Sequence, residues 1–159
     1  MHAAKAIRTL GAASALALAL QGATVFAAGD GPYAELAHER HENFEAMGDA
    51  FVVFRDQIRG DAPEDFAAQA VAADTIVGFS TEIPSWFPEG SGPDEGYKTD
   101  ALPSIWEDWE KFESIANDFV PRAAALRESV DTGEMSAVLA QFREVGGTCK
   151  SCHDDFRAD

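Results

Sequence analysis

The sequence Cys149-Lys150-Ser151-Cys152-His153 lies near the carboxyl end of the chain and decides the prediction of the fold. Its CxxCH spacing is the attachment signature of c-type haem. On a helix, thiols three residues apart lie on the same side, so both can form thioethers with the two vinyl groups of one porphyrin. The adjacent imidazole can then reach the iron from that side. We therefore predict one covalently bound haem c, attached through Cys149 and Cys152, with His153 as the axial iron ligand.

Two other uses of the cysteine pair are considered. A redox disulfide of the CxxC type is typical of a strand followed by a helix, and the sequence around Cys149 shows no strand pattern. A zinc site needs two further ligands. The remaining histidines after the first 27 residues, His38 and His41, precede the motif by about 110 residues. Haem attachment is the interpretation that uses both thiols and the imidazole.

Upstream of the motif, apolar residues recur with the period of amphipathic helices. The predicted helices cover about 33–59, 63–82, 103–130 and 133–156. Pro121 should kink or split the third helix. Residues 83–102 contain three prolines and three glycines, so we predict a long irregular link that lines a site. The fold class is therefore all-α: an antiparallel four-helix bundle with covalent haem near the C-terminal helix.

The first 27 residues have the composition of a secretory signal. They contain no acidic residue, carry two basic residues near the start, and continue with an apolar run. This run is shorter than the roughly 20 residues of a membrane-spanning helix, and the small residues Val25 and Ala27 fit a cleavage site. We predict that residues 1–27 are removed and that residues 28–159 form one domain in the periplasm, without a membrane anchor.

The charge of the chain limits its partners. The sequence has 28 Asp and Glu against 12 Lys and Arg, a formal net charge of −16. Without the first 27 residues, 10 basic and 28 acidic side chains remain, and the net charge becomes −18. Such a surface repels nucleic acid, so no nucleic-acid partner is expected. It can dock a redox partner protein with a basic surface.

The chain resembles the cytochrome c′ family, the class II c-type cytochromes, over essentially all of residues 28–159. The likeness rests on four helices, the Gly/Pro-rich link, the pair Ile105-Trp106, and a C-terminal CxxCH followed by Arg157. Only six residues follow His153, so no downstream methionine can be the second axial ligand. The resemblance implies a haem protein that binds nitric oxide and, weakly, carbon monoxide, transfers electrons, or does both. It also implies a homodimer through the first two helices, and we predict no enzymatic activity.

Two residues of the first helix are candidates for the haem site. Arg40 occupies an inward step between Leu36 and Phe44, and a buried guanidinium needs an anionic partner. The resemblance implies a haem propionate, and the alternative is an Arg40 side chain that extends to solvent. The family places the side chain that covers the distal haem face at Phe44. Because a phenyl ring has no lone pair for iron, the resemblance implies a five-coordinate, high-spin haem.

Met47 is the residue on which an alternative function, electron transfer by a low-spin haem, depends. It follows Phe44 by about one helical turn, and a Met47 sulfur on the iron would make the protein a low-spin class II electron-transfer cytochrome. A methionine at such a position is more often part of the core. His38 and His41 lie off the inward stripe of the helix, so we expect both at the surface.

Arg157 follows His153 by one turn of the same helix. The resemblance implies that its side chain lies in the proximal pocket, beside the haem face that carries the iron–histidine bond. The alternative is an exposed charge that suits the C-terminal end of the helix dipole. Three aromatic residues nearby in the predicted fold, Trp86, Phe87 and Trp106, are expected in the core rather than in the site.

Overall fold

Helices form nearly all of the regular structure in residues 31–158, which the computed structural model describes. The predicted signal, residues 1–27, lies outside this range. The elements are α1 (Ala34–Arg59), α2 (Phe66–Ser80), 3₁₀ turns at Ile83–Trp86 and Pro93–Glu95, α3 (Ser104–Glu107), α4 (Trp109–Asp131) and α5 (Met135–Phe156). Within the described range, β-pairing is limited to one isolated bridge, between Ala101 and Arg157. The predicted all-α four-helix bundle is confirmed.

The four long helices do not pack equally against each other. Helix α4 packs extensively against α2 and α5, and α1 packs against α2, but α1 and α5 touch at few points. The fully buried side chains of the core include Phe54, Ile76, Phe112, Leu126 and Val138. Because α1 and α5 stay apart, the bundle has space between these two helices, and the candidate site lies there.

Helix α2 is apolar on its outer face as well as on its inner face. Asp74 is the one charged residue among its 15. The exposed stripe contains Ala67, Val71 and Gly78 besides Asp74, and Val71 is 69% exposed. A surface helix is usually charged or polar on its solvent side. This outer face therefore differs from an ordinary solvated surface.

The predicted third helix is divided, but not at the proline. The break lies at Asp108, where φ is −126° and ψ is 56°, between α3 and α4. The sequence predicted a kink or a split at Pro121, and helix α4 continues through it, so the split is wrong. Pro121 has no main-chain N–H, so the carbonyl four residues earlier in the helix loses its hydrogen bond. Pro121 is exposed, so water can bind that carbonyl instead.

The link 83–102 is irregular, as predicted, but its side chains anchor it to the bundle. The indole Nε1 of Trp106 donates to the carbonyls of Phe87 and Pro88, at 3.1 and 3.0 Å. A Cβ at Gly92 would lie 2.8 Å from the Trp106 ring, so only glycine fits this approach. The link is therefore held in a defined position over the helices.

Candidate functional site

A cavity of about 1040 Å³ opens between α1 and α5, with the link along its edge and α4 contributing to its apolar wall. Its volume lies near the upper end of the roughly 300–1,000 Å³ of ligand pockets. All seven residues predicted for the site line this one cavity: Arg40, Phe44, Met47, Cys149, Cys152, His153 and Arg157. The tertiary structure thus brings together side chains that are more than 100 residues apart in the sequence.

The CxxCH side chains project from the last turns of α5. Burial raises the pKa of the Cys149 thiol to about 11, and burial together with the nearby Cys149 and Asp155 raises the pKa of Cys152 to about 11. Burial, assisted by the charge of Arg157, lowers the pKa of His153. The imidazole is therefore favoured in its neutral form, which is the form that ligates metals.

The other uses of the cysteine pair find no support in this geometry. The two thiols are free rather than joined in a disulfide. Within residues 31–158, no three His, Cys, Asp or Glu side chains are grouped so that they could hold a metal ion. His38 and His41 are 74% and 61% exposed and face Glu42 and Glu45 on the same helix, although both contribute to the rim of the cavity.

Arg40 is buried, with only 2% of its surface exposed, so it does not extend to solvent. Its guanidinium donates to the carbonyls of Trp86 and Ser91 at 3.1 and 3.2 Å, and to the hydroxyls of Ser91 and Thr99 at 3.3 and 3.0 Å. It also lies 4.5 Å from the ring centroid of Phe87. Burial lowers the pKa of Arg40, but a guanidinium stays protonated in proteins. The contact with a propionate stays a prediction.

Phe44 is held by the aromatic residues of the link. Its ring meets the Trp86 ring edge-on, with centroids 5.2 Å apart, and lies 6.2 Å from the Phe87 ring. Met47 is half-buried, packs against the core and also lines the cavity. Trp86 and Phe87 are buried as expected, but Phe87 also belongs to the cavity wall, which the sequence analysis did not predict.

The link lines the cavity, as predicted, but the sequence analysis did not identify the residues of the link that form this edge. Five consecutive residues contribute to it: Tyr97, Lys98, Thr99, Asp100 and Ala101. No periodic pattern marks this segment. The signal that could have found it is Arg40, because a buried guanidinium needs several acceptors and an irregular segment offers free carbonyls and hydroxyls.

The residues present fit a covalently attached haem. A porphyrin is a large, flat, mostly apolar ring with two carboxylates, and the cavity has a mostly apolar wall with the Arg40 cation in it. Both thiols and the His153 imidazole lie on the same helix at this wall. The separation of α1 from α5 leaves the necessary width between the helices.

The sequence profile of the family described as Cytochrome C' matches residues 35–157. A curated relative, the cytochrome c′ of Halomonas halodenitrificans, is 38% identical over 125 residues, which are 77% of this chain and 95% of the relative. The chain belongs to the cytochrome c′ family. Its cofactor is therefore covalently bound haem c, and the sequence contains two cysteines for the attachment, Cys149 and Cys152.

Two solved cytochromes c′ have the same fold. The first is a cytochrome c′ with a ligand-controlled dimer dissociation. Its sequence is 29% identical to this chain, and the two superpose with a TM-score of 0.71 over 79% of this chain and 95% of the relative. The second is the nitric oxide complex of a leucine-to-isoleucine variant from Alcaligenes xylosoxidans. It is 26% identical, with a TM-score of 0.69 over 79% of this chain and 95% of its own.

Replacing Arg40 tests its role in the structure. Arg40→Leu leaves the buried carbonyls of Trp86 and Ser91 without their donor, and each such loss costs about 1–3 kcal/mol. We expect the free energy of unfolding to fall by about 2–4 kcal/mol, measured by chemical denaturation. The reduction potential should also shift, because a propionate would lose its cation. Arg59→Leu, an exposed arginine at the end of α1, is the control, and equal stability of the two variants would contradict this role.

Proposed function

We propose that this protein is a periplasmic cytochrome c′ that binds nitric oxide, and carbon monoxide more weakly, at a five-coordinate, high-spin haem. One observation carries the proposal: the cavity that contains the CxxCH side chains also contains Phe44, which cannot ligate a metal. When bound, the haem supplies an iron centre that can take a diatomic ligand or exchange an electron. The relative solved as a nitric oxide complex supports the choice of ligand.

Each of the predicted site residues has a separate task in this proposal. Cys149 and Cys152 hold the haem through thioethers, and His153 is the axial ligand. Arg40, which is buried and cationic, neutralises a propionate. Arg157 adds a positive charge at the cavity wall, one helical turn after the axial ligand.

Phe44 controls access in this proposal. Its ring is packed against Trp86 and Phe87, so a diatomic ligand that needs its place must displace a packed aromatic side chain. Such a rearrangement costs on the order of 1–3 kcal/mol. A weakly bonding ligand such as carbon monoxide loses much of its affinity to this cost, whereas nitric oxide bonds strongly enough to bind.

We propose binding or electron transfer rather than catalytic turnover. Oxygen and peroxide chemistry depends on polar groups in the distal pocket. Phe44 and Met47 are apolar, and the acidic and imidazole groups of α1 that reach the cavity lie exposed at its rim, such as Glu45, which is 62% exposed. The inner wall therefore lacks a well-placed acid or base on this helix.

Electron transfer by a low-spin haem is the second candidate function. Met47 lines the same cavity as Phe44 and carries a thioether sulfur that can ligate iron. In that case the acidic surface would dock a basic redox partner protein.

The proposed location and domain boundaries rest on the chain before the bundle. Residues 1–27 act as a cleaved signal, and residues 28–159 form the single mature domain. The family match begins at residue 35, shortly after the proposed cleavage site. Within residues 31–158, no helix is both long and apolar enough to cross a membrane.

A homodimer through the first two helices is part of the proposal. The outer face of α2 supports it, because Ala67, Val71 and Gly78 present an apolar stripe that a second copy can cover. The relative whose dimer dissociates under ligand control shows that a protein of this fold forms a dimer. Each mature subunit has a net charge of −18, so repulsion opposes association until salt screens it.

Covalent haem is the first expected outcome. The exported protein, made in a host with a haem-attachment system, should have the mass of the chain from about Ala28 plus one haem. Acid–acetone extraction should leave the colour with the protein, and the double variant Cys149→Ser with Cys152→Ser should lose it. A colourless wild-type protein would contradict the proposed function.

Phe44→Ala should raise the affinity for carbon monoxide while the resting iron stays high-spin. Removing a displacement cost of about 1–3 kcal/mol corresponds to roughly 5- to 150-fold tighter binding. Carbon monoxide titration followed by absorbance measures the change. Phe142→Ala, which removes a half-buried ring that stacks on Phe51, is the control and should leave the affinity unchanged. A low-spin wild-type spectrum with the far-red band of a methionine–iron bond would instead identify Met47 as the ligand and favour electron transfer.

The dimer should strengthen with salt. Sedimentation should show a larger dimer fraction at high ionic strength, because added salt shortens the range of repulsion to about 8–10 Å near physiological strength. Val71→Glu should favour the monomer, whereas Ala124→Glu, on an exposed position of α4, should not. A monomer at both low and high salt would count against the dimer.

A further inference from the structure

The chain end after α5 is attached to the link by its main chain. Two hydrogen bonds, which form an antiparallel bridge, join residues 100–102 to residues 156–158, and we call these two segments the clasp. The bonds run from Leu102 N to Phe156 O at 2.9 Å and from Ala158 N to Asp100 O at 2.8 Å, with Ala101 opposite Arg157. The clasp therefore determines where Arg157 lies relative to the link.

The clasp is also anchored to the helices. The Thr99 hydroxyl accepts hydrogen bonds from the Arg40 guanidinium at 3.0 Å and from Ala101 N at 3.2 Å, so the segment is tied to α1. The Ser104 hydroxyl donates to the Asp155 carbonyl at 2.8 Å, which ties the start of α3 to α5. Asp100 therefore lies between Thr99 and Ala101, and hydrogen bonds hold both of these residues in place.

Asp100 and Arg157 form an ion pair at the cavity. The Arg157 Nη2 lies 3.8 Å from the Asp100 Oδ2, and both residues line the cavity. The two side chains are 55% and 66% exposed. An ion pair this exposed contributes little to stability. We therefore expect the ion pair to act through the electrostatic potential in the cavity rather than through the stability of the fold.

Arg157 lies close to His153. The Arg157 main-chain N donates to the His153 carbonyl at 3.2 Å, and both residues line the cavity. The nearby carboxylates of Asp154 and Asp155 pair with Lys150 and Lys111 instead. Within residues 31–158, Asp100 is the carboxylate that forms an ion pair with Arg157.

We propose that Asp100 is a positioning residue: with the clasp, it keeps the Arg157 guanidinium at the link edge of the cavity, so that this cation does not move closer to the haem, and it offsets part of its charge. This sets the electrostatic field at the haem and hence the reduction potential. The inference rests on the proposed function, because it requires haem in this cavity. A cation near the haem disfavours the oxidised form, which carries one more positive charge. Asp100 therefore lowers the reduction potential that Arg157 alone would produce.

Potentiometric titration of the haem-loaded protein tests this assignment. The proteins compared are wild type, Asp100→Asn, Arg157→Gln, the double variant, and the control Asp94→Asn. Asp94 is exposed on the same link, so its replacement makes the same change in net charge. Arg157→Gln should lower the potential. Asp100→Asn should raise the reduction potential by roughly 28 mV more than Asp94→Asn does. This difference is a factor of about three in the equilibrium constant for reduction, at 59 mV per tenfold.

The double variant separates positioning from simple charge. In the Arg157→Gln background, the effect of Asp100→Asn should shrink to that of Asp94→Asn. Equal effects of Asp100→Asn in both backgrounds would overturn the proposal, as would a shift no larger than the control or a fall in potential. Asp100→Glu keeps the carboxylate and should retain the wild-type potential, which covers the case that the Asn variant folds poorly. Mass spectrometry of each variant shows whether haem is bound. A protein without haem would contradict the proposed function, whereas a haem-loaded protein with an unshifted potential would contradict only the role of Asp100.

Discussion

The buried guanidinium of Arg40 is the constraint on which the site depends. A buried charge is tolerated only when its donors are used, and most carbonyls inside a helix already accept a main-chain hydrogen bond. The link supplies the acceptors through Trp86, Ser91 and Thr99. An irregular segment of 20 residues, 83–102, is thereby drawn against α1 and becomes the edge of the cavity.

The cavity also depends on how the four long helices share their contacts. Helices α2 and α4 pack closely, helped by small buried residues such as Ala73, Ala116 and Ala123, while α1 and α5 stay apart. An ordinary bundle would close this space with side chains. Here the space separates the α1 residues that face the cavity from the CxxCH residues of α5, and this is the arrangement a covalently attached cofactor requires.

The charges around the cavity are the reverse of those on the rest of the protein. After the first 27 residues the chain has 10 basic and 28 acidic side chains. In the part of the chain that the structure describes, four basic residues line the cavity, namely Arg40, Lys98, Lys150 and Arg157, and two acidic residues do, Glu45 and Asp100. The acidic surface therefore does not describe the site. A basic lining suits the two carboxylates of a haem, and Asp100 is a carboxylate placed within this basic lining.

The sequence by itself determined the helical class and the haem motif, because these depend on local period and fixed spacing. Together with the family resemblance, it also named seven residues that line the cavity. It did not determine the break at Asp108, where the sequence has no Gly or Pro, and it did not show that Pro121 is exposed at a point where α4 continues. It also could not place Tyr97–Ala101 at the cavity, because a segment without periodicity takes its position from distant partners. Only the tertiary structure decided that Arg40 holds the link and that the clasp sets Asp100 against Arg157, since both contacts join segments more than 50 residues apart.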